Sequence, residues 1–371
     1  MAALNDEQIM LRDMAREWVQ NEAPVSAFRK MRNSGLELGY DPEAFAAMAQ
    51  MGWVGILIPE AYGGSDFGYL SLGLVLEETG RTLVASPLVS SGLAAASALV
   101  LGGTESQKQA WLPGIASGEV VACLAVDEGP RHDPTKIETR AERSEGGWRI
   151  SGTKAFVAEG DSAGLFIVAA RTDAGIALFL VPGEADGLTR ATRRMADSRS
   201  HAEIRLAGVQ LDEDARLGTE HGAALVDQVL DRARIGTAAE MLGMAEQAFQ
   251  TTLAFLKTRV QFGQTLASFQ ALQHRMAKLY TDIELMRSVV EAALEAVDAG
   301  RPDVPMLASL AKATANETLH LMSREMIQLH GGIGMTDDHE AGFYIKRARV
   351  LENMWGNASF HRERFARLSG F

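Results

Sequence analysis

The chain has one cysteine, Cys123, so it can form neither an intrachain disulfide nor a cysteine-rich metal site. That usage fits a reducing cytoplasm, the expected compartment, and any redox chemistry must come from a bound cofactor. Long apolar runs are missing too. The longest, around residues 93–101, fall far short of the ~20 residues a membrane span requires. The opening MAALNDEQIMLRDMAREWV mixes acids and bases, with Ile9, Met10, Met14 and Trp18 at helical spacing, unlike the basic head and apolar run of a signal peptide. Excess positive charge is also absent. A formal net charge of -12 leaves no global field for nucleic acid or an anionic membrane, although a local basic patch could still hold a phosphate-bearing ligand. Neither a repeat nor a low-complexity linker interrupts the chain.

What is present is enough apolar material, 47% of residues, to build a sizeable core across several domains. Residues 1–118 read as an N-terminal helical domain, broken at Gly35, Gly39, Pro59, Gly63, Gly64, Pro87, Gly102 and Gly103. Residues 119–222 change texture to short runs such as VVACLAV, LFIVAART and IALFLV between Gly, Asp and Pro turns, which predicts a middle antiparallel β-domain. Residues 223–371 return to long helices, predicted over Asp227–Lys257 and Phe269–Ala299, with breaks at RPDVP and HGGIGMTDD. Helices this long with more than one apolar stripe bury one face in a bundle and another against a partner chain. The fold class is therefore α+β, mainly α.

Several segments carry chemistry. IPEAYGGSD followed by EETGR, with Pro59, Gly63, Gly64 and Glu78, reads locally as a tight turn leading into a helix. RVQFGQTLASFQALQ offers Arg259, Gln261, Phe262 and Gln270, and a guanidinium suits a pyrophosphate because it presents a fixed fork of donors. In QLHGGIG, residues 328–334, adjacent glycines let backbone N–H groups approach a ligand, although a helix C-cap explains an isolated HGG equally well. His330 by itself reads as a packing or hydrogen-bonding histidine. YIKRARVLENMWGN ends the series, with Tyr344, Lys346, Ala348, Arg349 and Gly356.

Together these segments resemble the acyl-CoA dehydrogenase family, and the resemblance covers essentially the whole chain. It implies that family's three-domain fold and the α,β-dehydrogenation of an acyl-CoA thioester with FAD. It also implies electron transfer to an electron-transfer flavoprotein or similar acceptor, and a place in fatty acid or sterol side-chain catabolism. It further implies that Arg259, Gln261, Phe262 and Gln270, with Gln328, His330, Gly331 and Gly332, reach the adenosine and pyrophosphate half of a neighbour's FAD. That arrangement makes sense only in a dimer or a dimer of dimers.

The pattern also fails, at the base and along the stretch expected against flavin. Removing an α-proton while flavin takes a β-hydride requires a base. The usual glutamate position, just before Gly356, is Trp355, and the alternative position on LDRARIGTAAEMLG is Ala233. Neither can accept a proton. Glu352, three residues before Trp355, and Glu240, seven after Ala233, would share a helical face with the lost positions and are the weak candidates. Asp231 should point roughly 160 to 200 degrees away from Ala233. For all three, a solvated helix charge is the plainer alternative.

The stretch expected against flavin reads VDEGPRHD in place of Thr-Glu-Pro-Gly-x-Gly-Ser-Asp, which puts Arg131 and His132 where a small turn is usual. KAFVAEG puts Phe156 at a ring-stacking tryptophan and Ala158 where a threonine hydroxyl would bond the flavin, and Asn357 stands at another usual threonine. Arg131, Arg193, Arg194, Arg199 and Arg232 are available cations for CoA, and none is singled out.

The half that reaches into a neighbour's FAD is retained, while the half that would serve the chain's own is eroded. The chain thus looks like the base-lacking member of a two-subunit acyl-CoA dehydrogenase, similar to pimeloyl-CoA dehydrogenase small subunits and sterol side-chain dehydrogenase partners. The alternatives are a self-sufficient dehydrogenase, oxidase or monooxygenase of the same fold with a base at Glu352 or Glu240, and a non-catalytic scaffold or nucleic-acid-binding relative. The charge of -12 argues against nucleic acid, whose affinity rests on phosphate contacts.

Overall fold

The computed structural model describes residues 3–218 and 222–371. The order is helical, then sheet, then helical again. Helix α1 (Asp6–Asn21) opens on a capping box in which Asn5 and Gln8 satisfy each other's backbone N–H, and α6 (Glu105–Ala116) does the same through Thr104 and Gln107. Between them lie α2 (Val25–Ser34), α3 (Pro42–Gln50), α4 (Gly68–Arg81) and α5 (Ala96–Gly102). The stretch expected only as helix before α5 is a π-helical segment, Leu88–Ala95, entered from Pro87 and fully buried.

The segment around Gly63 and Gly64 is the tight turn its residues imply. A 3-10 turn at Glu60–Tyr62 ends on Gly63 in the left-handed region. Gly64 follows with its backbone pressed so close to Ile58 O that a Cβ would lie 2.0 Å from it.

Strands β1 (Ala122–Ala125), β2 (Arg140–Ser144), β3 (Gly147–Ala158), β4 (Leu165–Thr172), β5 (Gly175–Pro182), β6 (Leu188–Arg194), β7 (Ser200–Asp212) and β8 (Arg216–Leu217) make one sheet. Seven run in the order β6-β7-β3-β2-β4-β5-β8, and β1 pairs with β4. The expected antiparallel pairing needs one correction. β1 runs parallel to β4, with Ala122 opposite Leu165, and β2 touches β4 in parallel at Arg140 and Arg171. All four β1 residues are buried without alternation, which suits a strand covered on both faces, and its direction is set by the β4 strand it pairs with.

Three long helices follow, α7 (Gly222–Thr258), α8 (Gln270–Asp298) and α9 (Val304–His330), then α10 (Ala341–Leu351) and α11 (Ala358–Leu368). Two residues each of β9 (Val260–Gln261) and β10 (Gln264–Thr265) form a hairpin between α7 and α8. Its turn, Phe262–Gly263, has φ of 55° and 80°, the double positive φ of a two-residue hairpin turn.

The chain divides into two compact units. One comprises residues 30–72 and 85–233, and holds the sheet with α3, α5 and α6. Its core is strands β1, β4 and β5, with Trp148 edge-on to Phe179 at 5.1 Å. Ser91 fastens the π-helical segment to β1 by bonding both the N–H and the carbonyl of Ala122.

The other unit comprises residues 1–29, 73–84 and 234–371. Within it α4 and α7 touch backbone to backbone: a Cβ on Gly80 would lie 2.2 Å from Glu240 O, and one on Gly243 would lie 1.8 Å from Glu77 O. Glu78, 1% exposed, is held there by Arg16 at 2.7 Å and Arg81 at 3.2 Å.

Candidate functional site

In the helical unit the residues around Trp355, where the sequence led us to expect a lost base, form a buried, clamped turn. α10 ends at Leu351, α11 begins at Ala358, and Trp355 lies between them, 7% exposed. Its φ is 60°, a left-handed conformation that costs a non-glycine residue about 1–2 kcal/mol. Four buried side chains hold the turn there. Trp355 O accepts from Arg234 Nε and from His361 Nε2, both at 3.1 Å. Gly356 O accepts from Lys312 Nζ at 3.4 Å and Asn316 Nδ2 at 3.3 Å.

Lys312 Nζ also donates to Asn316 Oδ1 and Leu351 O. Burial, followed by the neighbouring Arg234 guanidinium, pushes Lys312 down to about 7, against the opposite pull of Glu352. The indole Nε1–H of Trp355 is buried and has no hydrogen-bond partner among the described residues. Sequence reasoning missed this clamp. Its one sequence signal is Lys312, a lysine four residues before Asn316 inside the small-residue run SLAKATAN.

The structure gives both candidate carboxylates cationic partners. Glu240, 4% exposed, is bound by buried Arg347 through contacts of 2.9 to 3.1 Å. Glu352 faces Arg349 Nη1 at 2.7 Å and His320 Nδ1 at 3.1 Å. Asp231 is 1% exposed, so it is a buried group and not a solvated helix charge. Ala233 is buried in apolar surroundings of α7.

At the other end of α7 the chain presents the opposite surface. Arg259, Gln261, Phe262, Gln270 and Gln328 are all exposed, with Phe262 at 90%. No ion pair engages the Arg259 guanidinium among the described residues. The ends of α7 and α9 meet where the Phe255 ring lies 4.4 Å from that of His330, which brings the Arg259 and Gly331 segments to one end of the unit.

His330 is buried. Its Nδ1 bonds Met326 O at 2.7 Å, and its Nε2 has no hydrogen-bond partner among the described residues. Gly331 needs its glycine because φ is 65°. Gly332 does not: its φ is ordinary and a Cβ there would meet nothing within 4 Å. Nothing inside this chain requires that second glycine, so the space it leaves is open to an external ligand. An open glycine pair, a free guanidinium and exposed aromatic surface fit the adenosine and pyrophosphate half of a dinucleotide cofactor.

In the sheet unit, Phe156 sits on a bulge of β3, where the register with β7 shifts between Lys154 and Val157. Its φ is 54°, and the ring is 47% exposed, so it is free to stack on a ligand. Ala158 is buried and offers no donor. The expected bulk of the VDEGPRHD segment is divided. Arg131 is exposed, whereas His132 folds inward with Nδ1 2.8 Å from Asp127 Oδ1.

Lys154 anchors the segment by bonding Val126 O at 3.1 Å and Glu128 at 2.7 Å, and burial pushes this lysine down to about 8. Asn357 spends its side-chain oxygen capping α11 through Phe360 N–H. Among the cations offered for CoA, Arg193 pairs with Glu203, Arg194 bonds Leu36 O, Arg199 is buried, and Arg232 lies 5.4 Å from the Tyr69 ring.

Comparison with known proteins agrees with this layout. Three family models match in sequence order: the acyl-CoA dehydrogenase N-terminal domain over residues 5–119, middle domain over 123–213 and C-terminal domain over 220–369. The acyl-CoA dehydrogenase IpdE2 of Mycobacterium tuberculosis is 32% identical over 346 residues, covering 92% of this chain and 91% of that protein. Among solved structures, a Tcur3481–Tcur3483 steroid ACAD superposes with a TM-score of 0.91 at 31% identity, covering 98% of each chain. The ChsE4–ChsE5 complex of M. tuberculosis superposes with a TM-score of 0.93 at 27% identity over the full length of both chains. No described helix is long and apolar enough to cross a membrane. The chain belongs to the acyl-CoA dehydrogenase family of FAD-dependent oxidoreductases.

Proposed function

We propose that this chain is the base-lacking subunit of a heteromeric acyl-CoA dehydrogenase and that it completes a FAD site whose isoalloxazine and catalytic base belong to a partner subunit. The observation that carries this reading is the occupancy of the base positions. Trp355 and Ala233 cannot take a proton, and the two candidate carboxylates are paired, Glu240 with Arg347 and Glu352 with Arg349 and His320.

The contrast within one unit supports the same reading. The groups that would hold the neighbour's cofactor stand exposed, while the turn that would serve the chain's own chemistry is closed around an indole. FAD, when bound, supplies the hydride-accepting ring. This chain's contribution is binding: Arg259 would hold the pyrophosphate, Phe262 would pack on the adenosine, and the backbone at Gly331 and Gly332 would approach it closely. Two of the structural neighbours carry pairs of subunit names, Tcur3481–Tcur3483 and ChsE4–ChsE5, which is the assembly proposed here. On this reading the substrate is an acyl-CoA thioester, the electrons leave to an electron-transfer flavoprotein or similar acceptor, and the compartment is the cytoplasm.

The deciding experiment is to purify the chain with a homologous subunit that carries glutamate at the position of Trp355 and to count flavins. Two FAD per four chains, with α,β-dehydrogenation abolished when the partner's glutamate becomes glutamine, is the expected result. A homotetramer of this chain holding four FAD and bleached anaerobically by a CoA thioester would overturn it and return Glu352 or Glu240 to the role of base.

A further inference from the structure

The turn between α9 and α10 carries Gly331, Gly332 and the exposed side chains Ile333 and Met335, and it is fastened by two stacked histidines. The rings of His330 and His339 lie 4.2 Å apart, inclined at 44°. Each proton position is fixed by a backbone bond. His330 Nδ1 donates to Met326 O at 2.7 Å, so its Nε2 carries a lone pair, buried and without a hydrogen-bond partner among the described residues. His339 Nδ1 accepts from Ala341 N–H at 3.1 Å, so its own proton sits on Nε2 and the ring caps the first turn of α10.

A second proton would do harm at either ring. On His330 it creates a buried cation with no acceptor. On His339 it turns a donor toward Ala341 N–H at a helix N-terminus, where the dipole already disfavours positive charge.

The surroundings add no relief. From α2, Arg29 bonds the carbonyls of Asp337 and Asp338, placing a fixed cation beside the pair. From α7, the face against His330 is the uncharged Phe255. Asp337 is itself engaged by Arg29 at 3.5 Å, and Asp338 is exposed. Glu340 is the remaining neighbouring carboxylate. Burial raises it, against the opposing pull of Arg29, so it too becomes neutral early as pH falls.

We propose that His330 and His339 form a proton-operated latch on this turn, closed when both rings are neutral and released when either is charged. Its consequence for FAD rests on the function proposed above: the half-site that this chain lends to a partner's cofactor would be intact at neutral pH and lost in acid. Burial holds both histidines below their ordinary value, and for His339 the neighbouring His330 and Arg29 push the same way. The closed turn therefore has its full stability above about pH 6.5, the unfolded value, and loses it as pH falls through the lower folded values.

Amide hydrogen exchange of the full-length chain over residues 331–340, corrected for the chemical exchange rate, tests the latch without cofactor or partner. Protection should fall ~10-fold or more between about pH 8 and about pH 5 while the interior of α9 is unchanged. In His339→Asn, whose side-chain oxygen can still cap Ala341 N–H but does not titrate, the acid loss of protection should be smaller, because only His330 is left to take a proton. A flat profile in the unmodified chain, or an equal acid loss in His339→Asn, overturns the proposal.

If circular dichroism shows that His339→Asn does not fold, NMR titration of the two imidazole Cε1–H resonances in the unmodified chain decides. Coupled titration below about 6.5 supports the latch, and independent titration at or above it does not. The FAD arm separates the two ideas. With a partner subunit present, FAD retention should fall in acid in the unmodified chain and fall less in His339→Asn. No FAD retention at about pH 8 would count against the proposed function and leave the exchange result standing.

Discussion

The two ends of α7 invite comparison. Near Arg234 the helix meets a turn whose Trp355 and Gly356 carbonyls are held by buried side chains; near Phe255 it opens onto exposed residues, Arg259 and Phe262 among them. The closed end is built as a core is built, with Arg234, Lys312, Asn316 and His361 converging on two carbonyls. The open end leaves Phe262 and Met335 exposed, Phe262 touching only the edge of Phe269 among the aromatic rings described. On the function proposed above, this fold keeps a cofactor-lending surface while the place of its base becomes structure.

The largest test of the closed end is Arg347→Met. It removes the guanidinium that binds the buried Glu240 carboxylate and should cost about 3–5 kcal/mol in urea unfolding. If Glu240 were instead a working base exposed to substrate, the loss would be much smaller.

Lys312 offers the next effect, by pH. Its folded value of about 7 lies below the unfolded one, so between about pH 7 and pH 10.5 the unfolded chain binds the extra proton and stability should rise with pH. Comparing urea midpoints of the unmodified chain and Lys312→Met across that window isolates the Lys312 contribution: the slope should be smaller in the variant, with the part due to Lys154 remaining.

Trp355→Phe should be milder still, within ~1 kcal/mol of neutral, because it removes a buried N–H that has no acceptor. A larger loss would mean that the indole nitrogen has found a partner.

The smallest stability effect belongs to the open end. Arg259→Ala should leave the unfolding midpoint within ~0.5 kcal/mol while weakening FAD retention in the mixed assembly ~10-fold or more. Reversal of that pattern, with stability lost and flavin kept, would erase the distinction between the two ends.

Much of this was legible in the residues. The change from helical spacing to short apolar runs near Glu119 and back after residue 222 gives the three-part architecture, because periodicity is local information. Trp355 and Ala233 were visible as losses because a base is a single residue type at a single place. Three features were not visible, for different physical reasons. The parallel pairing of β1 depends on a strand that follows it by some forty residues, and ACLA alone does not specify direction. The small hairpin at Val260–Thr265 needs Phe262 at positive φ, which aromatic residues adopt only when the surrounding chain imposes it. The clamp draws Arg234, Lys312, Asn316 and His361 from three helices, so no window of sequence contains it. The expectation of Glu352 and Glu240 on the faces of the lost positions was a statement about helical angle alone. It could not reveal that Arg349 and Arg347 stand ready to pair with them.

The glycine contact between α4 and α7 carries one more implication. With Gly243 seated on Glu77 O and Gly80 on Glu240 O, neither helix can slide along the other without driving a side chain into a carbonyl. From Arg234 to Phe255 the seventh helix is a strut of about 30 Å. Pinned at its middle, it behaves as a ruler, setting how far the indole turn stands from the end offered to a neighbouring subunit.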